Sequence, residues 1–158
     1  KIGHVWREAQ NMVAYLAKGD SLQFGNGVVR AVGSVTGIKL PSGLVMRYED
    51  LKGAQGEKGV EYTYQTRKGR TRLYGGKVIE NVCQAVARCI IGEQMLLIAK
   101  KYPPVLTVHD SIVACVPEKE VEEAQTYIEG CMRYVPTWAE GLPLDCESGV
   151  AKSYGDCE

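Results

Sequence analysis

The sequence predicts an α+β fold in which an antiparallel sheet with a central β-hairpin packs on two or three helices. Three observations predict it. Apolar residues recur at three- and four-residue steps over three stretches, the pattern of helices buried along one side. Two short apolar runs, Pro104-Val105-Leu106-Thr107-Val108 and Ile112-Val113-Ala114-Cys115-Val116, flank His109-Asp110-Ser111. Their β-branched residues favour strands, because Val, Thr and Ile lose side-chain freedom against the preceding turn of a helix. Finally, Gly-centred turn signals separate other short runs.

In chain order, Val5, Trp6, Ala9, Met12, Val13 and Leu16 predict an amphipathic helix over residues 5–18, stopped by Gly19. Leu22 to Val35 is rich in Gly and Val, with a turn signal at Gly25-Asn26-Gly27, and reads as loop with short strands. Residues 38–48 read as a hairpin around Pro41-Ser42-Gly43, Pro setting the first corner and Gly supplying positive φ. Residues 50–59 are polar and Gly-rich and read as loop. Val60–Gln65 and Arg70–Tyr74 form a second hairpin whose turn gathers Arg67, Lys68, Arg70 and Arg72 around Gly69. Gly75-Gly76 punctuates the chain. A long helix over roughly 77–101 follows, its buried side carried by Val78, Val82, Ala85, Val86, Ile90, Met95 and Leu97 and its end set by Tyr102-Pro103-Pro104. After the central hairpin, Pro117-Glu118-Lys119-Glu120 opens a helix with Val121, Ala124, Ile128, Cys131 and Met132 as its stripe. Leu142–Cys146 reads as a last short strand.

The 158 residues carry no net charge, but its distribution is uneven. Residues 1–75, read as a basic helix-plus-hairpin segment, hold twelve Lys/Arg against six Asp/Glu; residues 76–158 hold seven against thirteen. That is the pattern of a basic surface for an anion beside an acidic part with another task. No apolar run is long enough for a membrane span, and no secretory signal opens the chain. The six cysteines show neither a C-x-x-C pair nor zinc spacing and read as reduced core thiols of an intracellular protein. The chain begins at Lys1 and is expected to be part of a longer polypeptide.

Two sets of residues carry chemistry. An ionised Asp110 within an apolar sheet would be costly without a cationic partner, whereas an acid at a rigid hairpin tip is a perch for a divalent metal. Lys77, Asn81, Gln84 and Arg88 are spaced by four, three and four, which places them on one stripe of the long helix. Singly, each is an ordinary solvated residue. Together, the amides suit the acceptors that every base pair shows in the minor groove, and the cations suit phosphates. The basic hairpin tip offers a further phosphate grip, or simply a solvated turn. His4 reads as surface, Trp6 and Trp138 as core or interface, and Tyr74 as a weakly supported duplex contact.

Two stretches, Tyr74-Gly75-Gly76-Lys77-Val78-Ile79-Glu80-Asn81-Val82-Cys83-Gln84-Ala85-Val86-Ala87-Arg88 and Leu106-Thr107-Val108-His109-Asp110-Ser111-Ile112-Val113, resemble family A DNA polymerases, particularly those of bacteriophages. Leu40-Pro41-Ser42-Gly43 and the ending Gly141-Leu142-Pro143-Leu144-Asp145-Cys146-Glu147 are also similar to that family, so that the resemblance covers roughly residues 36–158. It implies that residues 76–158 are the C-terminal portion of the palm. Asp110 is then a carboxylate for the two Mg²⁺ ions of nucleotidyl transfer, and His109 stands beside the primer end. Asn81 and Gln84 contact the nascent duplex, and Lys77 is a basic contact. The implied partners are primer–template DNA, dNTP and the rest of the polymerase: its fingers and the first palm Asp. The implied setting is a phage or prophage protein in the cytoplasm.

The sequence also departs from that family. The Asp-Tyr-Ser-like acidic strand is absent, and so is a fingers helix with Arg-x-x-x-Lys-x-x-x-Tyr-Gly spacing. Ser111 replaces the usual Glu after His-Asp, and Cys89 stands where Asp is common. A chain lacking those groups is expected to be inactive alone. Ser111 favours one alternative, a single-subunit phage-type RNA polymerase palm. Another is a non-catalytic duplex-binding module that keeps the helix face without chemistry, and the blandest is a capped turn in an unrelated domain.

Overall fold

The computed structural model describes residues 2–24, 29–32, 36–57 and 59–157. The fold is α+β, built as two compact units, Lys1–Val86 and Ala87–Glu158.

In the first unit, helix α1 spans Ile2–Lys18. Ala9, Met12, Val13 and Leu16 are buried, while Val5 and Trp6, read on the same stripe, remain exposed. Gly19 ends the helix in the left-handed region at φ +79°. Its N–H donates to the Leu16 carbonyl at 3.1 Å and that of Asp20 to the Tyr15 carbonyl at 2.9 Å, the paired bonds of a Schellman cap.

Strands β1 (Leu22–Phe24), β2 (Val29–Val32), β3 (Gly37–Lys39) and β4 (Val45–Arg47) form an antiparallel sheet in chain order. The expected Gly25-Asn26-Gly27 turn lies outside the described residues. Leu40-Pro41-Ser42-Gly43 joins β3 to β4 as the sequence indicates: Gly43 has φ +89°, and its N–H donates to the Leu40 carbonyl at 2.9 Å. The ladder continues past β4, where Tyr48 N–H donates to the Thr36 carbonyl at 2.9 Å and the Tyr48 ring is buried.

The polar stretch 50–59 is not simply loop. Lys52–Gly56 forms β5, paired antiparallel with β6 (Gly59–Thr66), which pairs in turn with β7 (Gly69–Leu73). β5 is an exposed edge strand held by ladder bonds, so it carries none of the apolar alternation that identifies a buried one. Gly53 of this strand lies close under its neighbour: a Cβ there would stand 3.0 Å from the Tyr62 ring.

Helix α2 spans Gly75–Ile98, not 77–101. It starts early because the two glycines are a packing surface rather than a break. The Gly75 N–H donates to Gln10 Oε1 of α1 at 2.8 Å, a cap supplied by another helix. A Cβ on Gly75 would stand 2.7 Å from the Trp6 carbonyl oxygen and 2.8 Å from the Gln10 nitrogen. At the other end, Ala99–Lys101 form turns, closed by Tyr102 N–H donating to the Ile98 carbonyl at 2.9 Å.

In the second unit, β8 (Pro104–Val108) and β9 (Ser111–Ala114) make a two-stranded antiparallel hairpin. The short 3-10 turn Glu118–Glu120 leads into α3, Val121–Met132. Ile112, Ala114 and Val116 pack on a cluster of Ile98, Tyr102, Ala124 and Cys131, with Ile128 and Met132 of α3 beside them. Burying each large side chain stabilises the unit by about 1.5–3 kcal/mol. The hairpin's other face stays open, with Val105, Leu106 and Val108 exposed. Buried Gln94 donates through Nε2 to the carbonyls of Met132 and Tyr134, tying α2 to the segment after α3. Trp138 Nε1–H donates to Glu93 Oε1 at 2.6 Å.

Leu142–Cys146 forms no strand. Side chains rather than a ladder hold this segment along α3. Arg133 donates from Nε to Asp145 Oδ1 at 2.9 Å and from Nη2 to the Cys146 carbonyl at 3.3 Å, while Ser148 Oγ donates to Glu129 Oε1. Ser148 Oγ holds Glu129, with help from Arg133, below the usual carboxylate range, and Arg133 does the same to Asp145. A depressed folded-state pKa gives stability that is present above the unfolded value and lost as pH falls through the folded one. The side-chain bonds between the 142–148 segment and α3 are therefore expected to weaken as pH drops below about 4. Amide exchange of Cys146, whose N–H is held by Asp145 Oδ1 at 2.9 Å, measures it. Protection of that amide, relative to its intrinsic rate at each pH, unchanged down to pH 2 would contradict the clasp.

Candidate functional site

The predicted site residues fall into two groups, one in each unit. In the first unit, α2 carries Lys77, Asn81 and Gln84. Asn81 is half-buried and donates from Nδ2 to the Tyr48 hydroxyl oxygen at 3.1 Å. Tyr48 meets Tyr64 of β6 edge to face, with centroids 5.0 Å apart and planes at 86°. Burial raises the Tyr48 pKa, offset in part by the bond from Asn81, so the phenol stays neutral. Met46, Arg47, Tyr48, Tyr64, Asn81, Gln84 and Ala85 line an open depression of about 430 Å³. Its lining combines aromatic and aliphatic side chains with two amides and a guanidinium, and includes no acid among the described residues.

Lys77 and Gln84 are less free than their spacing suggests. Lys77 Nζ pairs with both oxygens of Glu80, at 2.9 and 3.0 Å, and Gln84 Nε2 reaches Glu80 Oε1 at 3.4 Å. Glu80 raises the Lys77 pKa. The pair is solvent-exposed and therefore worth little to stability, but it sets the local charge.

The four basic residues of the β6–β7 hairpin divide into two kinds. Arg70 donates to Asp50 Oδ2 at 2.7 Å and to Thr63, and Arg72 pairs with Glu61, so both serve their own sheet. Arg67 and Lys68 are exposed at the turn beside Gly69 and form no ion pair with a described residue.

In the second unit, Arg88 is exposed on α2 without an ion pair among the described residues. His109 and Asp110 are the two connecting residues of the β8–β9 turn, since Val108 pairs with Ser111. His109 has φ +53°, the left-handed geometry that two-residue hairpins require at this position and that His tolerates better than most side chains. Asp110 therefore stands outside the sheet, exposed, and its carboxylate bonds to no described residue. A magnesium ion takes six oxygens in near-octahedral array. Among the described residues no three His, Cys, Asp or Glu converge as a metal site. Asp110 therefore offers a single carboxylate, short of the ligand set that such an ion takes. Glu147 is exposed, as are His4, Trp6 and Tyr74. Among the described residues no helix is long and apolar enough to cross a membrane.

The chain is similar in sequence to a phage protein. It is 34% identical over 125 residues to a DNA polymerase of Bacillus phage SP02, an alignment covering 74% of this chain. The chain is a relative of a phage DNA polymerase. It spans about a fifth of that relative's length, the aligned part being 19% of it. No protein-family model matches the chain, and no solved structure matches it.

Sequence reasoning did not find Tyr48, Tyr64, Arg47 or Glu80. Glu80 was legible, since i,i+3 and i,i+4 spacing sets it between Lys77 and Gln84. The tyrosines were not, because Tyr48 follows β4 in one sheet and Tyr64 lies on β6 of another, and only tertiary packing brings them together beside Asn81.

Proposed function

We propose that this chain is the C-terminal part of the palm of a phage-type family A DNA polymerase, acting on primer–template DNA and dNTP. The observation that carries the reading is Asp110, an unpaired carboxylate held clear of its sheet by a two-residue turn, in a chain related to a phage DNA polymerase. Asn81 and Gln84 contact the minor-groove side of the nascent duplex, and Lys77, Arg88, Arg67 and Lys68 meet phosphates. Asp110 lends one carboxylate to Mg²⁺, and His109 stands beside the primer end. The first palm Asp and the fingers come from the rest of the polymerase. Asp110, with acids from the rest of the polymerase, would hold a Mg²⁺ ion there, and that ion would supply charge neutralisation for displacement of pyrophosphate by the primer 3′ oxygen.

The structure divides the basic residues, and that division gives a test besides the loss of activity on replacing Asp110. Each phosphate contact contributes a slope of about −0.9 to the logarithmic salt dependence of duplex affinity. Replacing Arg67 or Lys68 with Ala is expected to flatten that slope by about 1 each, in titrations of a 20-base-pair duplex. Arg70→Ala and Arg72→Ala should flatten it less, since each guanidinium is already engaged by an acid of its own sheet or its approach rather than by phosphate. Equal slopes for all four variants and the unmodified chain would remove the hairpin from the interface.

A further inference from the structure

We propose that Tyr48 is a positioning residue for Asn81: its buried hydroxyl holds the Asn81 amide so that the remaining polar atoms of that amide face the open depression. The inference rests on the reading of Asn81 as a duplex contact and adds to it a residue on a different element, along with a purpose for the Leu40-Pro41-Ser42-Gly43 turn.

The Tyr48 side chain is fixed at three places. Its backbone N–H is tied to the Thr36 carbonyl at 2.9 Å, one step beyond the β3–β4 ladder that the Pro41-Ser42-Gly43 turn sets in register. Its ring is 3% exposed and meets Tyr64 edge to face at 5.0 Å. Its hydroxyl oxygen accepts the Asn81 Nδ2–H at 3.1 Å. Gln84, in the same lining, has only the exposed carboxylate of Glu80 at 3.4 Å. Of the two amides, only Asn81 is anchored to a buried, rigid group.

The chemistry of the anchor matters. A phenol hydroxyl both donates and accepts, whereas the Asn amide has a donating and an accepting end. The hydroxyl can therefore hold either end: Nδ2 as in this structure, or Oδ1 after a half-turn of the amide. The outward end is then carbonyl or NH2, with the rear bond kept in both cases. In the minor groove every base pair shows acceptors and only G·C adds a donor. An amide backed in this way can meet any base pair, as duplex contact without sequence preference requires.

The test uses the full 158-residue chain, duplexes of A·T only and of mixed sequence, and the variants Tyr48→Phe, Asn81→Ala and the double. Phe keeps the ring and its contact with Tyr64, and a melting temperature within a few degrees of the parent's confirms the fold. A single lost hydrogen bond corresponds to a fall of roughly threefold to tenfold. Tyr48→Phe and Asn81→Ala are each expected to lower duplex affinity by that factor, and the double variant no further than Asn81→Ala alone. In the free chain, the Asn81 side-chain NH2 signals should shift and exchange faster in Tyr48→Phe, a readout that needs no DNA. Full loss with Asn81→Ala but none with Tyr48→Phe would overturn the positioning role alone. So would multiplying losses in the double variant, or unmoved NH2 signals. No loss with Asn81→Ala would overturn the duplex reading itself.

Discussion

Asp110→Ala, in a complete polymerase containing this chain, is expected to lower primer extension about a thousandfold while changing duplex affinity less than about threefold. The asymmetry follows from where the residue stands. Its carboxylate projects from the β8–β9 turn with no bond to a described residue, so its removal leaves no buried partner and should leave the fold intact. What it would remove is one ligand of a metal whose effect on transition-state charge is worth several kcal/mol, and each 1.36 kcal/mol is tenfold in rate. Single-turnover extension with dNTP, with duplex binding measured in parallel, reads both quantities. Retained turnover would defeat the nucleotidyl-transfer reading. Parallel loss of affinity and rate would instead make Asp110 a binding residue. NTP in place of dNTP in the unmodified enzyme separates the RNA polymerase alternative that Ser111 raises, and the 158-residue chain alone should extend no primer.

Gly75→Ala is the second large effect expected, here on stability. Within most helices the change from Gly to Ala is favourable by roughly 0.5–1 kcal/mol. At Gly75 the new Cβ would meet two backbone atoms of α1, the Trp6 carbonyl oxygen and the Gln10 nitrogen, at 2.7 and 2.8 Å. Backbone cannot turn aside as a side chain can. α1 must move, and the move loosens the bond from Gly75 N–H to Gln10 Oε1. Overpacking of this kind costs typically about 1–3 kcal/mol and the lost bond about 1 more, which outweighs the helix gain. A fall in melting temperature of several degrees is the measurable result, at about 2–4 °C per kcal/mol for a chain of this size. An unchanged or raised melting temperature would mean that α1 does not rest on α2 at this point.

Periodicity identified the elements that bury one side. α1, α2, α3 and the β3–β4, β6–β7 and β8–β9 hairpins were all legible, because each couples an apolar pattern to a turn residue such as Gly19, Gly43 or Gly69. It failed where tertiary contact replaces pattern. β5 has no apolar signal, since an exposed edge needs only a neighbour's backbone. Gly75-Gly76 looks like a break until α1 lies against it. Leu142–Cys146 has strand composition, but Arg133 and Ser148 bind it to α3 first. The site divides in the same manner. Asp110 was marked by the apolar runs that flank it and Asn81 and Gln84 by their helical spacing, whereas the tyrosines behind Asn81 come from two separate sheets and meet only by tertiary packing. The basic cluster at 67–72 looked uniform, yet its acidic partners Asp50 and Glu61 lie on β5–β6 and its approach, and they claim Arg70 and Arg72.

The two-residue connection at His109-Asp110 leaves the hairpin no slack. Side chains alternate between the faces of a strand, so a slip of one residue reverses every one of them. Lengthening the connection by a single residue would either bend the acid away from the strand axis or turn Ile112 off the packed face and bring Val113 onto it. The length of this loop thus governs two things at once, where the carboxylate stands and which side of the ribbon rests on the cluster beneath it.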